Sequence, residues 1–233
     1  EQRCESIIMA GGVTDWVKLP EDYRSMLQRV ASPVPLICTA PVELNHCYQI
    51  VINQTKAIYQ SLAHLVALGH RRIAFLYGPI NCFQSVERRE AFCTLMQEMG
   101  LELRHEYLIE ASDFSDAAGY DAMLRALSLA EPPSAVITSN DMIAVGGLRA
   151  ARHLGMKLPQ DMSIIGFDDS ILADLAVPQL TSIHVDYAAY AKLILDTVCA
   201  VIDVKDMPKV QTLDTTLSVK DYYACVSTHC IVI

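Results

Sequence analysis

Pro159-Gln-Asp-Met-Ser-Ile-Ile-Gly-Phe-Asp-Asp169, followed by Pro178-Gln-Leu-Thr-Ser-Ile183, decides how this chain is read. The apolar run from Ser163 to Phe167 has the length of a buried strand and follows a proline-marked helix exit. Gly166, inside that run, lets something approach the backbone closely. In open α/β sheets ligands bind outside the carboxyl ends of strands, which puts Asp168 and Asp169 where a binding site is expected. Two acids after a strand also suit the start of a solvated loop. These residues alone leave both readings open.

Outward from this stretch, strands and helices alternate, the pattern of a parallel sheet with helices on both faces. Strands are expected over Ser6 to Ala10, Leu36 to Cys38, Gln49 to Ile52 and Ile73 to Tyr77. Further strands are expected over Tyr107 to Glu110, Ala135 to Thr138, Thr181 to Val185, Lys209 to Leu213 and Thr215 to Val219. Helical spacing of apolar residues predicts helices from Glu21 to Val30, Thr55 to Leu68 and Gln84 to Met99. It predicts others from about Ser115 to Ala130, from Asp141 to His153 and from Tyr187 to Ile202. Gly69, Gly100 and Gly155 stand near helix ends, and Asn140 or Ser139 is the expected N-cap of the Asp141 helix. Within that helix Gly146-Gly147 costs about 1 kcal/mol per glycine in propensity. Close packing against a neighbouring element or subunit explains such a cost.

The chain has 233 residues, 52% of them apolar, and a mean hydropathy of +0.26, which excludes a disordered protein. No apolar run reaches the 18 or so residues of a membrane span, so no membrane association is expected. Eighteen basic against 27 acidic residues give a net charge of −9, the wrong balance for neutralising phosphate, so the chain alone is not expected to bind DNA. Eight cysteines occur without a C-x-x-C pair. Cys38 and Cys199 lie in apolar segments and Cys93 in a helical pattern, which reads as free core thiols of a reducing compartment. Cys225-Val-Ser-Thr-His-Cys230 offers at most three ligands at unusual spacing, so no metal is expected. No nucleophile elbow, P-loop, dinucleotide fingerprint or H-E-x-x-H helix is present, so neither an enzyme nor a cofactor is expected. His70 stands at a helix exit, where capping is the simpler role.

Gly69-His70-Arg-Arg-Ile-Ala-Phe-Leu-Tyr-Gly-Pro79, Arg88, Ser139-Asn140-Asp141 and the two-acid segment, in this order, resemble the lac repressor/gal repressor family of bacterial transcription regulators. The likeness runs from about Glu5 to about Val219. It implies an α/β, two-lobe, periplasmic-binding-protein-like fold with doubly wound parallel sheets and an effector held between the lobes. The first lobe takes residues 1–52 and 184–213, and the second takes 54–182 and 214–233. The family's DNA-binding headpiece and a following βαβα stretch are not in this sequence, so the first lobe is expected to be incomplete. Val219-Lys-Asp-Tyr-Tyr and the final Thr-His-Cys-Ile-Val-Ile also depart from the family's ending. A fragment of a longer protein, from an altered reading frame, is the expected explanation.

The resemblance implies effector contacts for several residues. Arg88, early in its helix, has five donors that can bridge neighbouring hydroxyls, and it matches the family's effector-binding arginine. Asp168 matches the effector-binding aspartate. Asn140 offers a donor and an acceptor at a strand's carboxyl end. Phe114 falls where the family often places a stacking aromatic, and Gln84 lies one helical turn before Arg88. Ala40 replaces what is often a polar residue. If these assignments hold, Arg88→Ala or Asp168→Asn weakens binding and leaves the fold intact. The implied partners are a sugar, sugar phosphate or nucleoside, a second copy of the chain, and operator DNA through the absent headpiece. The implied location is the cytoplasm, and the Gly146-Gly147 helix with the loop after Asp169 matches the family's dimer interface. An extracytoplasmic sugar-binding protein of a transporter shares the fold and is the alternative.

Overall fold

The computed structural model describes residues 4–42, 44 and 46–220, so the Cys225–Cys230 cluster and the atypical ending lie outside the described residues. In chain order the elements are β1 (Ile7–Met9), α1 (Glu21–Ala31), β2 (Leu36–Cys38), β3 (Cys47–Ile52), α2 (Gln54–Ala67), β4 (Ile73–Tyr77) and α3 (Phe83–Glu98). There follow β5 (Leu108–Glu110), α4 (Asp116–Leu127), β6 (Ala135–Thr138), α5 (Asp141–His153), β7 (Ser163–Asp168) and α6 (Ile171–Leu175). The last are β8 (Ser182–His184), α7 (Tyr187–Ile202), β9 (Val210–Leu213) and β10 (Thr216–Ser218). The short α6 was not anticipated: its Ile171 and Leu175 are 67% and 70% exposed, so no buried periodic face marked it. Tyr107 belongs to a 3-10 turn, His105–Tyr107, which delays the start of β5.

The chain divides into two compact units. One comprises the chain up to Asn53, Asn81–Phe83 and Asp186–Asp214; the other comprises Gln54–Ile80, Gln84–Val185 and the chain from Thr215. The first has a four-stranded parallel sheet in the order β1-β2-β3-β9. The segment at Asn81 joins it because Val17 N donates to Asn81 O at 2.9 Å and Trp16 bridges to Cys82. Its core gathers Leu19, Leu27, Leu36, Cys38, Val42 and Cys47. Cys199, expected in a core because its neighbours are apolar, is exposed: α7 is apolar nearly all round but buries only Thr197 and Ala200 fully.

The second unit has a six-stranded sheet, β10-β8-β7-β6-β4-β5, parallel except for β10. Alternation along its strands sends side chains to two separate cores. Ala74, Leu76, Val136 and Ile164 pack with α4 and α5. Ile73, Phe75, Ile137 and Ile165 pack with α2 and α3 on the other face. The helix exit at Gly69 closes with Gly69 N to Val66 O and His70 N to Leu65 O, a pairing that needs the left-handed φ of 92° at Gly69. The His70 ring is not a cap. It is buried, with Nδ1 2.9 Å from Ser134 Oγ and Nε2 2.9 Å from Ser163 Oγ, so it ties the starts of β6 and β7 together.

The Gly146-Gly147 cost is met by α4. A Cβ on Gly146 falls 1.9 Å from Asp116 O and 2.6 Å from Tyr120 N, both backbone atoms of α4. Gly119 of α4 reciprocates, its Cβ position lying 2.3 Å from Ile143 O. The two helices therefore touch backbone to backbone. Gly146→Ala gains about 1 kcal/mol of helix propensity but forces α4 and α5 apart, and overpacking of this kind costs about 1–3 kcal/mol. We expect a net loss of stability in urea unfolding; an unchanged or raised midpoint would show that the helices separate freely.

Candidate functional site

β4, β6 and β7 are adjacent parallel strands, so their carboxyl ends share one edge of the sheet. At that edge Gly78 follows β4, Ser139 and Asn140 follow β6, and Asp168 ends β7. Ser139 Oγ accepts from Gly78 N at 3.0 Å. A Cβ on Gly78 would lie 2.2 Å from the Phe114 ring, so only glycine allows that ring to sit there, half-buried against the α4–α5 core. Asn140 caps α5, its Oδ1 accepting from Ile143 N at 2.9 Å, while its Nδ2 donates to Phe114 O at 3.2 Å. The cap thus fixes both the asparagine and the phenylalanine backbone.

Arg88 reaches the same edge from α3. It is 6% exposed; its Nε donates to Gln54 Oε1 at 2.7 Å, and a terminal nitrogen donates to Ser139 O. Its guanidinium lies 3.5 Å from the centroid of the Phe167 ring, the residue before Asp168. Arg88, Asn140, Phe114 and Asp168 are therefore assembled along one edge; Gln84 stands one turn before Arg88, half-buried. Arg88 is also part of the framework, because its removal leaves buried Gln54 and Ser139 acceptors unmet. Arg88→Ala must disturb the fold as well as any ligand, contrary to the expectation from sequence. Gln54 and Phe167 were not singled out: one reads as a helix-start residue and the other as strand core.

The acids after β7 hold unusual backbone. Asp168 has a φ of 104° and Asp169 a φ of 50°. Asp169 is left-handed, which aspartate tolerates; Asp168 lies in a costlier region. What holds them is Asp141, first residue of α5 and 1% exposed. Its Oδ1 accepts from Ser182 Oγ at 2.6 Å, and its Oδ2 accepts from Ser170 N at 2.7 Å and Ser170 Oγ at 2.8 Å. Ser182 Oγ in turn accepts from Asp169 N at 3.1 Å. The group that approaches Gly166 is this carboxylate, 2.2 Å from the position a Cβ would occupy. Burial pushes the Asp141 carboxyl above its usual range, against the hydrogen bonds from Ser182 and Ser170. Among the described residues no group of three or more His, Cys, Asp or Glu side chains is arranged to hold a metal ion.

Comparison with known proteins identifies the setting of this edge. Residues 62–221 match the family model described as a periplasmic binding protein-like domain. The chain belongs to that family, in its lac repressor/gal repressor branch. It is 32% identical over 182 residues to catabolite control protein A of Priestia megaterium, covering 76% of this chain and 51% of that protein. It is 32% identical over 164 residues to the HTH-type transcriptional repressor PurR of Serratia proteamaculans, covering 70% and 46%. The chain thus spans about half the length of these relatives. A solved structure of a LacI transcriptional regulator from a Rhodococcus species superposes with a TM-score of 0.84 at 26% identity, covering 97% of this chain and 80% of that one.

In this lac repressor-like domain the second acid is an anchor. Asp169 lies 2.6 Å from Lys220 Nζ and 3.1 Å from His184 Nδ1, and Lys220 also meets Asp174 at 2.7 Å. Burial acts to raise the Asp169 carboxyl, but Lys220, with His184 and Ser218, outweighs it and holds the group below its ordinary value of 3.8. A lowered carboxyl contributes stability that is complete above the unfolded value and is lost as pH falls through the folded one. We therefore expect wild-type stability, followed by urea unfolding, to drop below about pH 4 more steeply than that of Asp169→Asn. Parallel acid profiles for the two proteins would remove this role.

Proposed function

We propose that this domain senses a small hydroxyl-bearing metabolite, a sugar, sugar phosphate or nucleoside, at the carboxyl edge of β4, β6 and β7. The observation that carries the reading is the convergence there of Arg88, Asn140, Phe114 and the end of β7 at Asp168. Guanidinium, amide and carboxylate groups read hydroxyls, and an aromatic face suits the apolar side of a ring. The names of the relatives support a regulator, so the full protein is proposed to control operator DNA through a headpiece outside this sequence. The binding equilibrium moves only as far as effector affinity differs between two states of the protein. Among the described residues no helix is long and apolar enough to cross a membrane, and a regulator of transcription is proposed to act in the cytoplasm.

Thermal melts against a panel of sugars, sugar phosphates and nucleosides identify the class, because a ligand that binds only the native state raises its melting temperature. Calorimetry with the compound so found then tests the site. Asp168→Asn keeps a side chain that tolerates positive φ and removes the charge, so it should fold normally and bind at least about tenfold more weakly, roughly 1.4 kcal/mol. Unchanged affinity would move the site away from this edge.

We further propose that the domain pairs with a second copy through α6 and the outer face of α5. Ile171, Leu175 and Val177 are 67%, 70% and 77% exposed there, beside a hollow lined by Val145, Leu148 and Leu172. Exposed apolar residues grouped beside a hollow support this reading. Gly146 and Gly147 are taken up by α4 and contribute nothing to it directly. Leu175→Glu should convert a sedimenting dimer to monomer; a dimer that persists would place the contact elsewhere.

A further inference from the structure

Two thiols in the first unit stand apart from the residues of the proposed effector edge. Cys38 ends β2 and Cys47 begins β3; both are buried, 0% and 3% exposed, and their Sγ atoms are 3.2 Å apart. Packing accounts for either thiol as a small apolar residue but does not require that they face each other. The strands pair in parallel with Leu36 opposite Cys47, so the cysteines are diagonal neighbours on one face of the sheet.

We propose that Cys38 and Cys47 form a redox-sensitive dithiol that a peroxide closes reversibly to a disulfide. Cys47 is the attacking group. With Cys47 ionised, the Cys38 S–H can donate to its sulfur. That hydrogen bond first, and then the positive charge of Lys209, hold the Cys47 thiol below its ordinary value against the effect of burial. The same hydrogen bond, with burial added, pushes Cys38 up, so it waits as the protonated partner. His46, the residue before Cys47, and Lys209 line an open cleft with Gln28 and Ser32, so a peroxide that reaches Cys47 would enter beside the start of β3.

The chemistry balances without another reagent. The Cys47 thiolate attacks one peroxide oxygen, the O–O bond breaks, and Cys47 sulfenic acid and hydroxide form. Hydroxide takes the proton that Cys47 lost and becomes water. Cys38 then attacks the Cys47 sulfur, the S–O bond breaks, and a second water leaves with the Cys38 proton. Two thiols and one hydrogen peroxide give one disulfide and two waters. The sulfurs must approach from 3.2 Å to the roughly 2.05 Å of a disulfide. Closure fastens both ends of the 39–46 connection, whose Thr39 hydroxyl accepts from Gly11 N at 3.2 Å. In a reducing compartment such a bridge is transient, which suits sensing better than permanent stapling.

The test is peptide mapping of the whole chain after brief exposure to hydrogen peroxide. No Lys or Arg lies between Val30 and Thr55, so trypsin leaves both cysteines in one segment, and a second cut after Glu43 separates them unless they are bridged. We expect loss of two thiols, joined fragments, and their release by dithiothreitol. In Cys38→Ser, dimedone should instead trap Cys47 as sulfenic acid, and Lys209→Gln should slow bridging. Circular dichroism of the treated wild type shows whether the fold persists. Fragments that separate while the fold is intact, or a Cys47 bridge to any other cysteine, would overturn the proposal even if the variants fail to fold.

Discussion

The buried carboxylate of Asp141 is the constraint on which the carboxyl edge of β4, β6 and β7 rests. It joins the start of α5, the loop after β7 and the start of β8 through three hydrogen bonds, two from Ser170 and one from Ser182. Taking a carboxylate out of water costs several kcal/mol, while hydrogen bonds to a charged group return about 1.5–3 kcal/mol each. The raised pKa indicates that burial is the larger influence on its ionisation. The carboxylate is therefore better understood as fixing geometry than as a large source of stability. Severing it is another matter, since the loss of Asp141 would strand two serines and a backbone N–H. Gly166 is the complementary requirement, because any side chain there would occupy the carboxylate's place.

The same economy of roles runs through the rest of the edge. Asn140 both starts α5 and fixes the Phe114 backbone, and Arg88 braces Gln54 and Ser139 while it reaches the carboxyl ends of the strands. Backbone contact between α4 and α5 through Gly119 and Gly146 sets where the first turn of α5 stands, and hence where Asn140 and Asp141 stand. A site built this way is rigid because its members are also structural. The corollary is that few substitutions at this edge report on ligand alone.

Much of this was legible in the sequence, and the boundary has physical reasons. β4, β6 and α5 follow the apolar spacing closely because both faces of the sheet are buried and periodicity of two or 3.6 residues then leaves a clear trace. The order of Gly69-His70, Arg88, Asn140 and the two acids was enough to suggest the family. Contacts made by single residues across long separations left no such trace. Gln54 meets Arg88 34 positions away, and His70 meets Ser163 across 93. Nothing in either neighbourhood announces the partner. α6 was hidden for the opposite reason, since its large apolar residues Ile171 and Leu175 face outward. Cys199 misled because an apolar helix normally implies burial, and α7 buries little of its surface.

The strained turn at Asp168 draws these strands together. A residue at a φ of 104° relaxes unless its surroundings forbid it, at a cost of about 1–3 kcal/mol while it is held. Here Asp169 is anchored on the following side by Lys220, His184 and Ser182, and Ser170 by Asp141. On the preceding side Phe167 lies under the Arg88 guanidinium. Asp168 is thus gripped from both directions, and the strain is carried by residues that do not themselves need a ligand. In the proposed role as a ligand-binding group, a carboxylate whose backbone is fixed in advance would lose less freedom on binding, so more of each hydrogen bond to it could appear as affinity. Preorganisation of this kind gives a physical reason for two consecutive non-glycine residues to keep positive φ at the end of a strand.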